Sequence, residues 1–198
     1  MANESYRFLS PLLEYLSDFG PISDEVIEEF GHFFRPLQVK KSKFILSPID
    51  HNNAVYFLTK GLVRGFIRDG EKDITTWFST GNEIIGAIRH PDMPENHSHE
   101  YLQALEDCEL IVIPYALLES IYQKYPAGQI IGRKLFALKY YAASERSILA
   151  RIPNAADRYQ YFQKNSKLDL NRIPFRYLCS YLGMRMETLS RIRGKKNS

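Results

Sequence analysis

The stretch "FRYLCSYLGMRMETLSRIR", Phe175 to Arg193, decides how the rest of the chain is read. Counted from Phe175, Leu178 and Leu182 fall at the fourth and eighth positions and share one helical face. Cys179 falls at the fifth, where two crossing helices leave room only for a small side chain. Gly183, at the ninth, supplies the positive φ of a tight turn without the strain a Cβ would add. Met184, Leu189 and Ile192 complete the apolar face of a second helix. Every one of these positions suits a helix-turn-helix. Its second helix then presents Arg185, Met186, Glu187, Thr188 and Arg191 outward, on the face such a unit lays into the major groove. Arginine can donate twice to guanine O6 and N7, and glutamate can accept from cytosine N4. Arg193, Lys195 and Lys196 suit phosphates, which orient a protein without reading bases.

The charge distribution supports that reading. Residues 1–150 hold 15 Lys and Arg against 20 Asp and Glu, whereas residues 167–198 hold 8 against 2. A basic end on an acidic body points to a polyanionic partner. The chain has 198 residues, enough for one or two domains with a real core. No apolar run approaches the length of a membrane span, and Glu4 and Arg7 interrupt any signal-peptide core. Cys108 and Cys179 lie far apart and form no CxxC pair, so buried free thiols and a cytoplasmic setting are expected.

Working outward from the closing motif, Leu9, Leu12, Leu13 and Leu16 recur at helical spacing until Gly20-Pro21 stops the run. Ser23 stands where a second helix needs an N-cap. From about Gln38 to Pro114 the chain changes to short β-rich runs, "KFILS", "AVYFLTKGLVRGFIRDG", "DITTWFSTG" and "CELIVIP", with Asp69-Gly70 as a hairpin turn. This spacing predicts an antiparallel barrel or β-roll. "YALLESIYQKY" is helical up to Pro126, and the stretch that follows reads as one long helix. In it Ile131, Leu135, Leu138, Ala142, Glu145 and Leu149 step by four and three, a coiled-coil seam broken by one charge. A homodimer is therefore expected along Ile131, Leu135, Leu138, Ala142 and Leu149, with Phe136, Tyr140 and Tyr141 on the opposite face for the β-domain to cover. Ile152-Pro153-Asn154 breaks the helix, and Asn154 can cap the next, "AADRYQYFQKN". The predicted fold is α+β: a β-roll sensor domain with flanking helices over 1–125, a dimerisation helix over 126–151 and a helix-turn-helix domain over 152–198.

In this order of parts the chain resembles the Crp–Fnr superfamily of bacterial transcription regulators. "VYFLTKGLVRGFIRDGEKDITTWFSTGNEIIG" (Val55–Gly86) is similar to the family's cyclic-nucleotide-binding β-roll, with Gly61, Gly81 and Gly86 at its turns. "GMRMETLSRI" (Gly183–Ile192) is similar to its recognition helix, and the short ending resembles Bacteroidetes-type members. The resemblance implies double-stranded DNA and a second copy of the chain as partners, allows RNA polymerase as a further one, and implies no catalysis. It also brings departures. Met186 stands where the prototype has a base-reading arginine, so a different operator is implied, and no β-hairpin wing is expected after the recognition helix.

The larger departure lies in the sensor. Members that bind cyclic nucleotides carry a glutamate for the ribose 2′-hydroxyl and an arginine for the cyclic phosphate. Here the corresponding stretch is "GAIRHPDMPENHSHEYLQAL": Gly86 is kept, Ala87 stands for the glutamate, and His97 or Ser98 for the arginine. A methyl group cannot bond a hydroxyl, and neutral imidazole is no substitute for a bidentate guanidinium. Arg64, Arg89, Arg133 and Lys139 are the cations that could reach such a pocket in its place. The effector is left unknown, with Gly86, Ala87, His97, Ser98, Arg64 and Arg133 as pocket candidates and no cofactor expected.

The rival reading is a cupin-like metal protein or enzyme on the same roll. "HPDMPENHSHE" gathers His90, His97, His99 and Glu100, apt ligand types for Zn, Fe or Mn. Glu100 directly follows His99, however, and no carboxylate stands where a barrel would return it to the metal, so no metal is expected. Two cysteines cannot supply the four ligands of an iron–sulfur cluster, and no histidine is singled out for haem. No nucleophile beside a base and no glycine-rich phosphate loop is visible.

Overall fold

The computed structural model describes residues 2–89 and 98–194. Two helices, α1 (Ala2–Ser17) and α2 (Asp24–Phe33), precede eight strands: β1 (Arg35–Val39), β2 (Phe44–Leu46), β3 (Ala54–Lys60), β4 (Leu62–Asp69), β5 (Lys72–Thr80), β6 (Glu83–Ile85), β7 (Tyr101–Ala104) and β8 (Cys108–Pro114). They form two four-stranded antiparallel sheets, β1-β8-β3-β6 and β2-β7-β4-β5, which enclose a core that includes Val39, Leu58, Val63, Leu102 and Leu110. The strands begin at Arg35 rather than Gln38; β1 pairs only with β8, so the missing N–H of Pro36 falls on an edge strand. Asp69 pairs with Lys72, so the hairpin turns where expected but its two-residue loop is Gly70 (φ 59°) and Glu71, one position beyond Asp69-Gly70.

The β4–β5 hairpin contains one irregularity that shapes the site. Gly65 pairs with Trp77 but Phe66 pairs with Thr75, so Thr76 is an extra residue on β5. Such a bulge breaks the alternation of faces. The Trp77 indole lies over Gly65, where an added Cβ would sit 2.2 Å from its Cε2 atom.

Four helices close the outer face of the first sheet. The leucine stripe of α1 packs with Val26 and Phe30 of α2 on Phe57, Ile111 and Ile113, together with α3 (Tyr115–Lys124) and the start of α4 (Pro126–Arg151). The long helix is thus where the sequence places it, with Pro126 in its first turn. Asn154 caps α5 (Ala155–Asn165), accepting from the amides of Ala156 and Asp157 at 2.8 and 3.3 Å.

The seam of α4 requires correction. Ile131 is buried in the helix–sheet core of its own chain, Leu135 packs beside it, and Leu149 is buried against α5 and the C-terminal helices. Ala142 lines an open cleft between α4 and the roll, and only Leu138, 44% exposed, points away. Glu145, the charge that interrupts the seam, accepts a hydrogen bond from the Tyr161 hydroxyl of α5 at 2.7 Å. The face expected to be covered is instead open: Phe136, Tyr140, Tyr141 and Ile148 are 69, 77, 63 and 49% exposed. Three–four spacing marks a stripe that becomes buried; it does not say whether the same chain or a second copy buries it.

Candidate nucleic-acid interface and the cavity behind it

The C-terminal unit consists of α5, α6 (Phe175–Tyr181) and α7 (Met186–Gly194). Leu178, Cys179, Leu182 and Leu189 are buried at its centre, with Met184 and Ile192 packed around them, as the spacing predicts. Gly183 adopts φ 59°, and the α6 end closes with Gly183 N–H to Ser180 carbonyl at 3.2 Å and Met184 N–H to Cys179 carbonyl at 3.1 Å. That pair of bonds is a Schellman closure, which uses glycine to satisfy carbonyls the helix end leaves orphaned. Both thiols are free, buried and pushed up in pKa by that burial.

The turn aims α7 outward. Arg185, Met186, Glu187 and Arg191 are exposed and Thr188 is half-buried, so the predicted reading face is free. Arg193 is different: its guanidinium lies over the Tyr159 and Phe175 rings and its Nε donates to the Tyr159 hydroxyl at 3.0 Å. It braces α7 on α5 instead of reaching for phosphate. Lys195 and Lys196 lie outside the described residues.

The unit is seated on the β-roll, and Leu62 and Leu105 of the roll belong to its apolar cluster. Ser180 Oγ accepts the Thr75 N–H at 2.9 Å and donates to the Asp73 carbonyl at 2.8 Å, satisfying the open edge of β5. Arg172 forks onto Glu106 at 2.9 and 2.6 Å and holds its carboxyl below the usual carboxylate range. Beneath Tyr177 lies Arg64, 1% exposed, sandwiched at 3.7 Å by that ring and at 3.9 Å by Phe66. It donates to Gln103 (2.8 Å), Thr75 (3.4 Å) and Asp73 (2.7 Å). Burial lowers its pKa, an effect the Asp73 bond opposes. Arg64 is therefore spent on the seat and is not a pocket cation, which corrects the sequence expectation. Arg133 is exposed and is not part of the cavity lining.

Behind β5 a cavity of ≈ 840 Å³ opens between the roll, α3 and α4. Gly86 and Ala87 line it; Ser98 is buried but serves locally, accepting the Glu100 N–H at 3.2 Å. His97 and His90 lie outside the described residues. The segment after β6 is fixed from two sides. Asn52 donates to the Ala87 and Ile88 carbonyls at 3.5 and 3.4 Å, and Glu100 accepts the Ile88 N–H at 3.1 Å. The other oxygen of Glu100 takes both Thr76 Oγ1 and Trp77 Nε1 at 2.7 Å. Adjacent strand residues normally point to opposite faces; the bulge lets these two converge. Of the cations that line the cavity, Lys139 bonds Glu83 at 3.1 Å, Arg89 stands over the Tyr115 ring at 4.5 Å, and Arg146 extends the basic side of the wall along α4. Among the described residues no three His, Cys, Asp or Glu side chains converge as a metal site, and no helix is long and apolar enough to cross a membrane.

No family model matches the chain. Among curated proteins it is 23% identical over 189 residues to the fumarate and nitrate reduction regulatory protein of Vibrio cholerae, covering 87% of this chain and 70% of the relative. Among solved structures, FixK2 from Bradyrhizobium japonicum superposes with a TM-score of 0.68 at 18% identity, over 82% of this chain and 83% of its own. The global regulator CLP of Xanthomonas campestris, described as responsive to c-di-GMP, gives 0.67 at 15%, over 88% and 92%. A CooA variant from Carboxydothermus hydrogenoformans gives 0.66 at 16%, over 89% and 80%. At these identities the structural likeness establishes the fold.

Proposed function

We infer that this chain is a Crp–Fnr superfamily member and a DNA-binding transcription regulator, not an enzyme. The observation that carries the reading is α7: a glycine-closed turn delivers it to the surface with Arg185, Met186, Glu187 and Arg191 free on one face. Glu187 and Arg191 carry base-reading chemistry, while Arg185 and Thr188 suit support and phosphate contact. The likeness in sequence and fold to Fnr, FixK2 and CLP supports the same conclusion, and nothing among the described residues favours the cupin-like alternative.

The functional unit is a homodimer joined through the open band of α4. Phe136, Tyr140, Tyr141 and Ile148 form that band, and a second copy would bury it across a two-fold axis. Symmetry then makes the operator a palindrome with half-site centres one turn, roughly 34 Å, apart. Cyclic AMP is not the effector. Ala87 lacks the hydroxyl-binding carboxylate, Arg64 is locked under Tyr177, and Glu100 occupies the Ile88 N–H beside the kept Gly86. Selection of bound sequences from random DNA with the purified chain tests the main reading. An enriched palindrome is expected; recovery of unenriched DNA would overturn it.

A further inference from the structure

We propose that Arg158 is a positioning residue that fixes the angle between α4 and α7, and with it the half-site spacing that a dimer of this chain accepts. The last step rests on the dimeric, operator-binding reading above; the brace itself does not. Arg158 stands at the end of the first turn of α5, the helix that follows α4 and supports α7. Its Nη1 donates at 2.6 Å to the carbonyl of Ile152, where α4 ends. Its Nη2 donates at 3.2 Å to the carbonyl of Gly183, in the turn that leads into α7. Both carbonyls lie at a helix end, where the helix supplies no donor of its own. The Nε is buried without a partner among the described residues, so the side chain forgoes one bond to place the other two. A planar guanidinium holds two acceptors in one fixed geometry, which a single ammonium cannot do.

Further bonds secure α5 on each side. Tyr161 donates to Glu145 of α4 at 2.7 Å, and Arg193 of α7 donates to Tyr159 at 3.0 Å. Each of these joins α5 to one neighbour, whereas Arg158 reaches both joints. The segment Ile152-Pro153-Asn154 is not helical and Pro153 has no N–H to offer, so side chains set the angle there. Two-fold symmetry doubles any shift of α7 relative to α4. At a rise of about 3.4 Å per base pair, a shift of about 1.7 Å in each protomer changes the spacing by one step and turns the half-site by about 35°.

Two measurements on the full chain test this. Spin labels on Arg133→Cys in α4 and Ser190→Cys in α7 report the angle without DNA when labelled chain is diluted in unlabelled; the native Cys108 and Cys179 are buried. Pulsed electron resonance should give one narrow distance with Arg158 in place and a clearly broader distribution for Arg158→Met. Arg158→Lys, whose ammonium holds one carbonyl at a time, should fall between them. Operator half-sites are then set at spacers that differ by single base pairs. The unaltered chain should favour one spacer over its neighbours by about tenfold. Arg158→Met should reduce that preference below about threefold while binding an isolated half-site within about twofold of the unaltered chain. Loss of the isolated half-site together with every spacer marks a merely structural role and overturns the proposal. An unchanged distance distribution or an unchanged spacer preference in Arg158→Met overturns it too. Broadened distances in a chain that selects no operator refute the regulator reading alone and leave the brace standing.

Discussion

Replacing Arg64 with methionine removes the guanidinium from the seat of the helix-turn-helix while keeping an unbranched stem of similar reach. Breaking one side of a buried ion pair costs about 3–5 kcal/mol when the partner is stranded. Asp73 is not fully stranded: its side chain is 34% exposed and Arg68 remains at 3.3 Å, so roughly half of that cost, about 2 kcal/mol, is expected. Loss of the cation between Phe66 and Tyr177 adds about 1–2 kcal/mol for a desolvated stack. The total is about 3–4 kcal/mol. Urea unfolding with a slope of about 2 kcal/mol per molar converts it to a midpoint lowered by about 1.5–2 M. A second measurement locates the damage: the Thr75 amide, bonded to Ser180, should lose hydrogen-exchange protection while amides of β3 and β8 keep theirs. Arg64→Lys should recover less than half, since an ammonium neither forks nor stacks as a guanidinium does. A loss below about 1 kcal/mol with Thr75 protection unchanged would refute this account of the seat.

Arg191→Ala should weaken operator binding by about 1–3 kcal/mol per half-site and relax one base pair; equal loss on random DNA, read by fluorescence anisotropy, would remove Arg191 from base reading. Tyr140→Glu sets two like charges across the α4 axis and should leave a monomer in sedimentation at micromolar concentration, whereas Leu138→Glu, on the shoulder of the helix, should disturb the dimer less. Arg172 depresses the pKa of Glu106, so the pair stabilises the seat above the unfolded carboxylate value of about 4.3 and is lost as pH falls through the lower folded value. Because both partners are about a third exposed, the effect is on the order of 0.5 kcal/mol, and Glu106→Gln should erase that part of the acid sensitivity in pH-dependent denaturation. Gly183→Ala meets no atom within 4 Å, so its cost is the positive φ alone, about 1–2 kcal/mol in thermal unfolding.

The helix-turn-helix was legible because its constraints are local: glycine at a positive φ, a small residue at the crossing, and apolar residues three and four apart all lie within twenty positions. The β-roll was legible from turn chemistry such as Asp69-Gly70. The owner of the α4 stripe was not, because Ile131 and Leu149 have the same spacing whether a second copy or the same chain covers them. Arg64 was misplaced for a related reason. A cation in "GLVRGFIRD" reads as solvent-facing or as a ligand anchor until Tyr177, more than a hundred residues later, is seen to lie over it. Glu100 escaped notice as a wall carboxylate because the Thr76 bulge resets the two-residue alternation, and no sequence pattern announces which strand residue will be the extra one.

One strand carries both halves of this molecule. Thr76, Trp77, Phe78 and Ser79 of β5 line the cavity, while Asp73 and Thr75 of the same strand hold Ser180, and Phe78 meets Tyr181 edge-on at 5.3 Å. Thermodynamic linkage makes any traffic along it symmetric. Whatever factor an occupant of the cavity applies to the affinity of α7 for its operator, the operator must apply to the affinity of the cavity for its occupant. Trp77, in the cavity wall, should therefore report on DNA it never touches: if the two sites are coupled, adding operator changes its emission.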